Sequence, residues 1–518
     1  MMKNTFLLST ILLIVAFSGC NNNKNSEESL ASSSIQLAST PFLHGVASGD
    51  PLGKAVIIWT RVSVDTQSTA TVKWSIAKDK EFKEILQSDY LTTDASKDFT
   101  VKVDVQKLKS NTYYYYKFEL GDYSSLIGRT KTTPLGDKEA TKVRLAVVSC
   151  SNFEAGYFNS YAKLAEKPNI DAVLHLGDYI YEYGPGTYGD TTISRKHLPA
   201  KEIITLHDYR TRYAQYRTDQ MLQRAHQVHP FITIWDDHEI MNNAYMEGGQ
   251  NHNEGEGDFS DRKSVAKQVY YEWMPIRDSK TLYRKFTFGD ITSLLMLDER
   301  LAGRTEPVKN ADSPNYGDQE RTMLGQKQFD WMIKNLKESE QTWKVLGNQV
   351  IFSDVNIAPI YGAEFPKNMD AWDGYPAEKR KIIDAIKENN IKDIVFVSGD
   401  THCSWAFEVP VSPGNYNPRT SEGVVAVEFG TPGLTSANLD EYRTMEDVKA
   451  AEQKMHVANK HLKYIDTHSQ GYFILEMGSS QSQVDYYYMD RINTESENEI
   501  KGQSIILRKG RSQLVMGK

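Results

Sequence analysis

Six apolar stretches between residues 143 and 397 each run straight into residues able to hold a metal ion or a phosphate. Stretch 143–148 (VRLAVV) leads to Ser149-Cys150, and 172–176 (AVLHL) to Gly177-Asp178, with Tyr181 three positions further on. Stretch 231–235 (FITIW) leads to Asp236-Asp237-His238-Glu239, and 293–297 (SLLML) to Asp298-Glu299-Arg300. Stretch 344–346 leads to Gly347-Asn348, and 394–397 (IVFV) to Ser398-Gly399-Asp400-Thr401-His402. Short apolar runs bounded by Gly and Asp read as buried strands. Helical patterns between them, over 203–226, 326–338 and 376–388, predict an α/β layered domain. Ligands of open α/β sheets bind outside the carboxyl ends of the strands. One such ending is ordinary turn chemistry; six of them predict a catalytic metal cluster.

The residue types narrow the metal. Asp178 and Tyr181 can reach one cation from a tight turn, and a phenol with an ordinary pKa near 10 binds as phenolate only to a strong, hard Lewis acid. Fe3+ fits better than Zn2+ or Mg2+, and Cys150 is compatible with the same ion as thiolate. Asp237, Asn242, Asp400 and the Asn348 amide are hard oxygen donors suited to Ca2+, Mg2+ or Mn2+. Taken singly, Tyr181 is a core aromatic and Asn242 a loop residue; only their shared strand-end setting makes them ligands. Arg300 is expected either to fork a phosphate or to pair with Asp298 or Glu299. His238 is expected to protonate the leaving alkoxide or to orient a ligand.

The rest of the chain frames this domain. Residues 39–134 alternate in short β-branched and aromatic strands (56–62, 71–77, 99–105, 113–120), the pattern of a small fibronectin type III or Ig-like β-sandwich. The segment before the tetra-tyrosine run at 113–116 resembles a tyrosine-corner approach. Residues 140–518 form the catalytic domain. At the other end, Lys3, the apolar run 6–17 and Ser18-Gly19-Cys20 resemble a lipoprotein signal peptide over 1–19, followed by a flexible tether over 20–38. A plain signal peptide with an incidental Cys20 is the alternative. The chain is then exported and membrane-anchored, touching the bilayer only through lipid on Cys20 and facing the periplasm or the cell exterior. Three cysteines in 518 residues provide no disulfide framework, although a Cys150–Cys403 bridge is conceivable. A net charge of −8 argues against nucleic-acid binding. A mean hydropathy of −0.53 excludes a multi-span membrane protein.

The ordered motifs FLHGVASGDP (42–51), VSCSNF (148–153), HLGDYIYEYG (175–184), IWDDHEIMNN (234–243), LDERL (297–301), LGNQV (346–350), VSGDTHCSW (397–405) and EFGTPGLTSA (428–437) resemble the alkaline phosphatase D (PhoD-type) family of metallophosphoesterases. The resemblance implies a four-layer α/β/β/α sandwich behind the small all-β domain, with Fe3+ beside one or more Ca2+. It implies Cys150 and Tyr181 as iron ligands, Asp178 shared between metals, and Asn242 and Asp400 as calcium ligands. It implies His402 as a metal or phosphate ligand, and places Asp237 where related motifs carry an Asn ligand, so that the principal ligand expected is Asp237 or Asn242. The implied activity is an extracytoplasmic phosphomonoesterase in which metal-bound hydroxide or oxide attacks a small phosphate ester in line. A phosphodiesterase or phospholipase D-like hydrolase is the near alternative, and a non-catalytic surface-binding lipoprotein the alternative of another class. Residues 437–468 are expected to cap the cleft or to form a surface helix pair. His468 departs from the family's compact His-Gly-Tyr, and Cys403 is expected to be a buried neighbour of the cluster.

Overall fold

The structure, a computed structural model, describes residues 38–517 apart from 65–66 and 137–138, so the leader, Cys20 and all but the last tether residue lie outside it. Each of the six apolar stretches is a strand: Lys142–Val148, Ala172–His175, Pro230–Thr233, Thr292–Met296, Trp343–Gly347 and Ile394–Ser398. The first three lie side by side and parallel in a ten-stranded sheet. The last three do the same in a seven-stranded sheet. Buried on both faces, such strands need no polar alternation, which is why each reads as a continuous apolar run.

Helices cover the outer faces. Tyr161, Leu164, Tyr209, Tyr213, Leu222 and Val269 pack with the first sheet in one core, which extends into the space between the sheets through Val427 and Phe429. Met332 and Leu336 of helix Gly325–Lys337, with Ile382, Ile383 and Ile386 of helix Pro376–Glu388, seal the second sheet's outer face. The result is a four-layer α/β/β/α stack. The helical stretch expected over 203–226 is two helices, Leu206–Arg217 and Gln220–Val228. Asp219 breaks it: its side chain accepts from the backbone N–H groups of Met221 and Leu222, an N-cap that competes with helix continuation.

The N-terminal β region packs Val56 and Ile58 against Val72, Ile76, Tyr114, Tyr116 and Phe118. Strands Val46–Leu52, Ala55–Arg61 and Thr100–Val105 extend the ten-stranded sheet, because Val46–Leu52 pairs in parallel with Pro230–Thr233. In the tetra-tyrosine run the corner is made by Tyr114, whose hydroxyl accepts from the Lys109 N–H at 2.8 Å. Residues 437–468 hold a single 3-10 turn, Leu439–Glu441, one α-helix, Met445–Ala458, and a strand, Leu462–Asp466, that joins the seven-stranded sheet beside Ser404–Pro410, so the segment is not a pair of α-helices.

Candidate metal centre

The carboxyl edges of the two sheets meet. Ser149, just past the first strand, bridges in parallel to Gly433, past the strand Val424–Gly430 of the other sheet. Trp235 Nε1 donates to Asp298 Oδ1 at 3.0 Å, and Arg300 Nε lies 2.5 Å from Asp236 Oδ1, both across the same seam.

Three overlapping donor groups line it: Cys150, Asp178 and His402; Asp178, Asp237 and His238; and Asp236, Asp237 and Asp400. Within each, the candidate ligand atoms lie within 4.8 Å of one another. Asp178 links the first two groups and Asp237 the last two, so the three form one chain of sites. Tyr181 completes the first, its hydroxyl 3.0 Å from Asp178 Oδ2 and 3.4 Å from His402 Nε2. Ser436 holds this corner, 2.6 Å from the Tyr181 hydroxyl and donating to the Cys150 carbonyl at 3.0 Å.

The backbone is bent to present these donors. Cys150, Asp178, Asp400 and His402 all have positive φ, between 55° and 65°. Left-handed non-glycine residues cost on the order of 1 kcal/mol or more each and concentrate where the surrounding structure imposes them for function. Gly177, at φ +111°, lies so close to Asp236 that a Cβ would stand 2.4 Å from its backbone nitrogen. The two turns therefore touch backbone to backbone. Glu239 ties them together: one oxygen accepts from the N–H groups of Asp178 and Asp236, the other from Tyr179.

The electrostatics call for a cation. Burial first, then the Asp178 charge, pushes the Cys150 thiol well above its usual range. Burial followed by Asp178 does the same to the Tyr181 phenol. Burial also lifts Asp178 and Asp400 far above ordinary carboxyls, and lifts Asp236 to about 6. The Oδ1 of Asp178 and the Oδ2 of Asp236 are buried without any hydrogen-bond partner. Oxygens left bare at such a place are what a metal-ligand set looks like without its ion, since an unpaired buried polar atom costs about 1–3 kcal/mol. A polyvalent cation lets thiol, phenol and carboxyls ionise together.

The remaining expected residues are placed as follows. His238 Nδ1 lies 2.6 Å from Glu182 Oε2, and its ring packs on Tyr181 with centroids 4.3 Å apart. Burial works against its charge, but Asp237, Glu182 and Asp178 outweigh it and hold the imidazole well above its usual pKa. Arg300 is fully buried; besides Asp236, it reaches Asp370 at 2.7 Å, Asp400 at 3.4 Å and Asp237 at 3.8 Å. Its ion pairs are thus with carboxylates of the centre and with Asp370, rather than with the adjacent Asp298 or Glu299. Asn242 is half-buried at the rim, its amide donating to Gln250 at 2.8 Å and its backbone N–H to Glu182. The Asn348 amide is used by the fold: it donates to the Val350 carbonyl and accepts from Trp372. His468 sits apart, 3.2 Å from both Glu452 and Asp466. Cys150 and Cys403 are both free thiols, with Cys403 in a separate apolar cluster.

Sequence reasoning passed over Glu182, Glu239, Asp370 and Ser436. The two glutamates lie inside the quoted motifs, one residue beyond Tyr181 and one beyond His238, and that adjacency was the available signal. Ser436 also falls within a quoted motif, but Asp370 has no local signal.

Paired sheets whose carboxyl edges converge on buried metal-donor groups define a candidate metal-dependent hydrolase. The PhoD-like phosphatase family matches residues 145–486, and the family's N-terminal domain matches residues 28–134. The chain is 35% identical over 478 residues to alkaline phosphatase D of Bacillus subtilis (strain 168), covering 87% of this chain and 78% of that protein. A solved structure of PhoD superposes with a TM-score of 0.84 at 33% identity, covering 94% of each chain. The chain belongs to the PhoD-like phosphatase family, whose members are phosphoric ester hydrolases. Among the described residues, no helix is long and apolar enough to cross a membrane.

Proposed function

We propose that the protein is an extracytoplasmic phosphomonoesterase working through an Fe3+/Ca2+ cluster. The observation that carries this reading is the run of donor groups joined through Asp178 and Asp237. Cys150, Tyr181, Asp178 and His402 would hold Fe3+, and Asp178, Asp236, Asp237 and Asp400 would hold the divalent companion, with Asn242 able to join from the rim. The bound cations supply Lewis acidity to the phosphoryl oxygens and lower the pKa of a water. The chain's own residues do the rest. With Nδ1 committed to Glu182, His238 has Nε2 to deliver a proton to the departing alkoxide. Arg300, held through Nε by Asp236 Oδ1 and through Nη1 by Asp370, would offer Nη2 to a phosphate oxygen, leaving Asp236 Oδ2 for the cation. Export on a lipidated Cys20, with the membrane reached only through that anchor and no nucleic-acid partner, completes the proposal.

A diesterase reading draws support from a groove of about 1,050 Å³ beside Asp370, lined by Lys309 and Lys367, with room for a second ester arm. Rates on a monoester and a diester with the same metal-loaded sample separate the two. Monoester turnover exceeding diester turnover is expected; negligible monoester turnover beside rapid diester cleavage overturns it, and turnover of neither overturns both.

A further inference from the structure

A second cavity, of about 250 Å³, opens beside the metal centre, with Ile360 and Tyr361 of the short helix Ala358–Tyr361 in its wall. Two residues of its wall, Asp400 and His402, are themselves members of the donor groups. Most of the rest of the wall is apolar: Ile351, Val355, Ile360, Cys403, Trp405 and Leu439 line it. Trp405, 5% exposed, stacks on Phe407 with centroids 5.6 Å apart and planes 17° apart, which fixes a flat aromatic surface there. A cavity of roughly 150 Å³ lined by Leu, Ile and Phe already holds a benzene ring. This one takes a ring with a linking carbon or two.

The wall is built to persist. Ile360, Trp405 and Cys403 share a core cluster with Ala451 and Met455 of helix Met445–Ala458. Arg443 donates to the Ile360 carbonyl, and the Leu439 N–H donates to the Thr467 carbonyl at 3.0 Å. Residues 437–468 thus form the back of the cavity. Its outer lip is Tyr361, 57% exposed.

We propose that this cavity is the subsite for the organic group of the ester, and that it selects an apolar group of about the size of one aromatic ring. A phosphoryl group seated on the cluster next to Asp400 and His402 has this cavity beside it to take its ester group, and most of the remaining wall rewards apolar burial. Ser353, Asn368, Asp373 and Thr401 add polar atoms to the wall, so the preference comes from the Ile, Val and Trp surface and not from a wall without polar partners. This inference rests on the phosphoesterase reading above and adds the substrate class to it.

The test uses phosphonates, which cannot be hydrolysed, so affinity is read without leaving-group chemistry. Calorimetric titration of the metal-loaded full chain with methyl-, benzyl- and octylphosphonate is expected to give benzylphosphonate at least tenfold tighter than methylphosphonate. A negative heat-capacity change should accompany the gain, the mark of apolar burial. Ala371 also lines the cavity, so Ala371→Leu, which fills it, and Tyr361→Ala, which removes an exposed lip residue, should each shrink that ratio severalfold. Equal affinities for methyl- and benzylphosphonate overturn the subsite. An octyl group bound tenfold tighter than benzyl overturns the ring-sized occupant in favour of an acyl chain. Absence of binding by all three, together with absence of ester turnover, overturns the phosphoesterase reading itself; turnover with no benzyl preference overturns only the inference.

Discussion

At the edge of the ten-stranded sheet, Cys150, Asp178 and Asp237 project into the donor groups, and Asp178 keeps a buried oxygen without a partner. At the edge of the seven-stranded sheet, three equally polar residues turn back into the protein. Glu299 accepts from the N–H groups of Gln349 and Val350 and from Trp372 Nε1. Asp298 accepts from the Arg300 and Leu301 N–H groups and from Trp235, and Asn348 bonds Val350. Among the described residues, the strand ending at Ser398 is the one that gives the second edge metal donors, through Asp400 and His402. Residue type and strand-end position are alike at both edges. What differs is that Asp178 and Asp236 each keep a buried oxygen without a partner and Asp237, although it accepts from the His238 and Asn243 N–H groups, faces the other donors, whereas Glu299, Asp298 and Asn348 are spent on the turns.

Breaking a shared donor should have the largest effect. Asp178→Asn is expected to lower turnover on the order of 1,000-fold and to strip bound metal, because two donor groups depend on it. The metal-free variant should be no less stable than the metal-free parent, since it removes a carboxyl whose burial disfavours its charge. Glu299→Ala, at the opposite edge, should reverse that pattern: a loss of about 3 kcal/mol in denaturant unfolding with metal content retained. Equal metal loss in the two variants would erase the distinction between the edges. Gly177→Ala tests the contact between the turns and should cost about 2–3 kcal/mol, since it combines a positive φ with a clash against Asp236.

The smallest expected effect is a pH slope. His175, buried on the same strand that leads to Asp178 and 2.9 Å from the Tyr161 hydroxyl, is lowered to about 3 by burial. Below pH 6.5 the unfolded chain takes up a proton that the folded one refuses until about 3, so stability falls as pH falls through that window. The contribution is about 1.4 kcal/mol per pH unit, and His175→Gln should flatten the slope measured between pH 6.5 and 5 by that amount.

Much of this was legible in the sequence. The six strands were, because burial on both faces writes an uninterrupted apolar run. That Cys150, Asp178, Tyr181, Asp237, Asp400 and His402 lie together at the converging strand ends was, because each directly follows such a run or sits in the turn after it. The fate of Glu299 was not, since backbone N–H groups brought from some 50 residues away fill it; nor was that of Asn348, whose amide oxygen is taken by the Trp372 indole 24 residues on. Asp370, which pins Arg300 from a loop 70 residues distant, carries no local pattern either. The fusion of the N-terminal strands with the catalytic sheet was hidden for the same reason: the pairing of Val46–Leu52 with Pro230–Thr233 spans nearly two hundred residues.

The proposed function requires that a thiolate, a phenolate and shared carboxylates hold trivalent iron beside calcium. Metal analysis combined with the visible spectrum of the purified protein, parent against Tyr181→Phe, tests it most directly. Iron and calcium together, with a violet tyrosinate-to-iron band that the substitution bleaches or shifts, is the expected result. A colourless parent holding zinc alone, or a band indifferent to the loss of the Tyr181 hydroxyl, would contradict it.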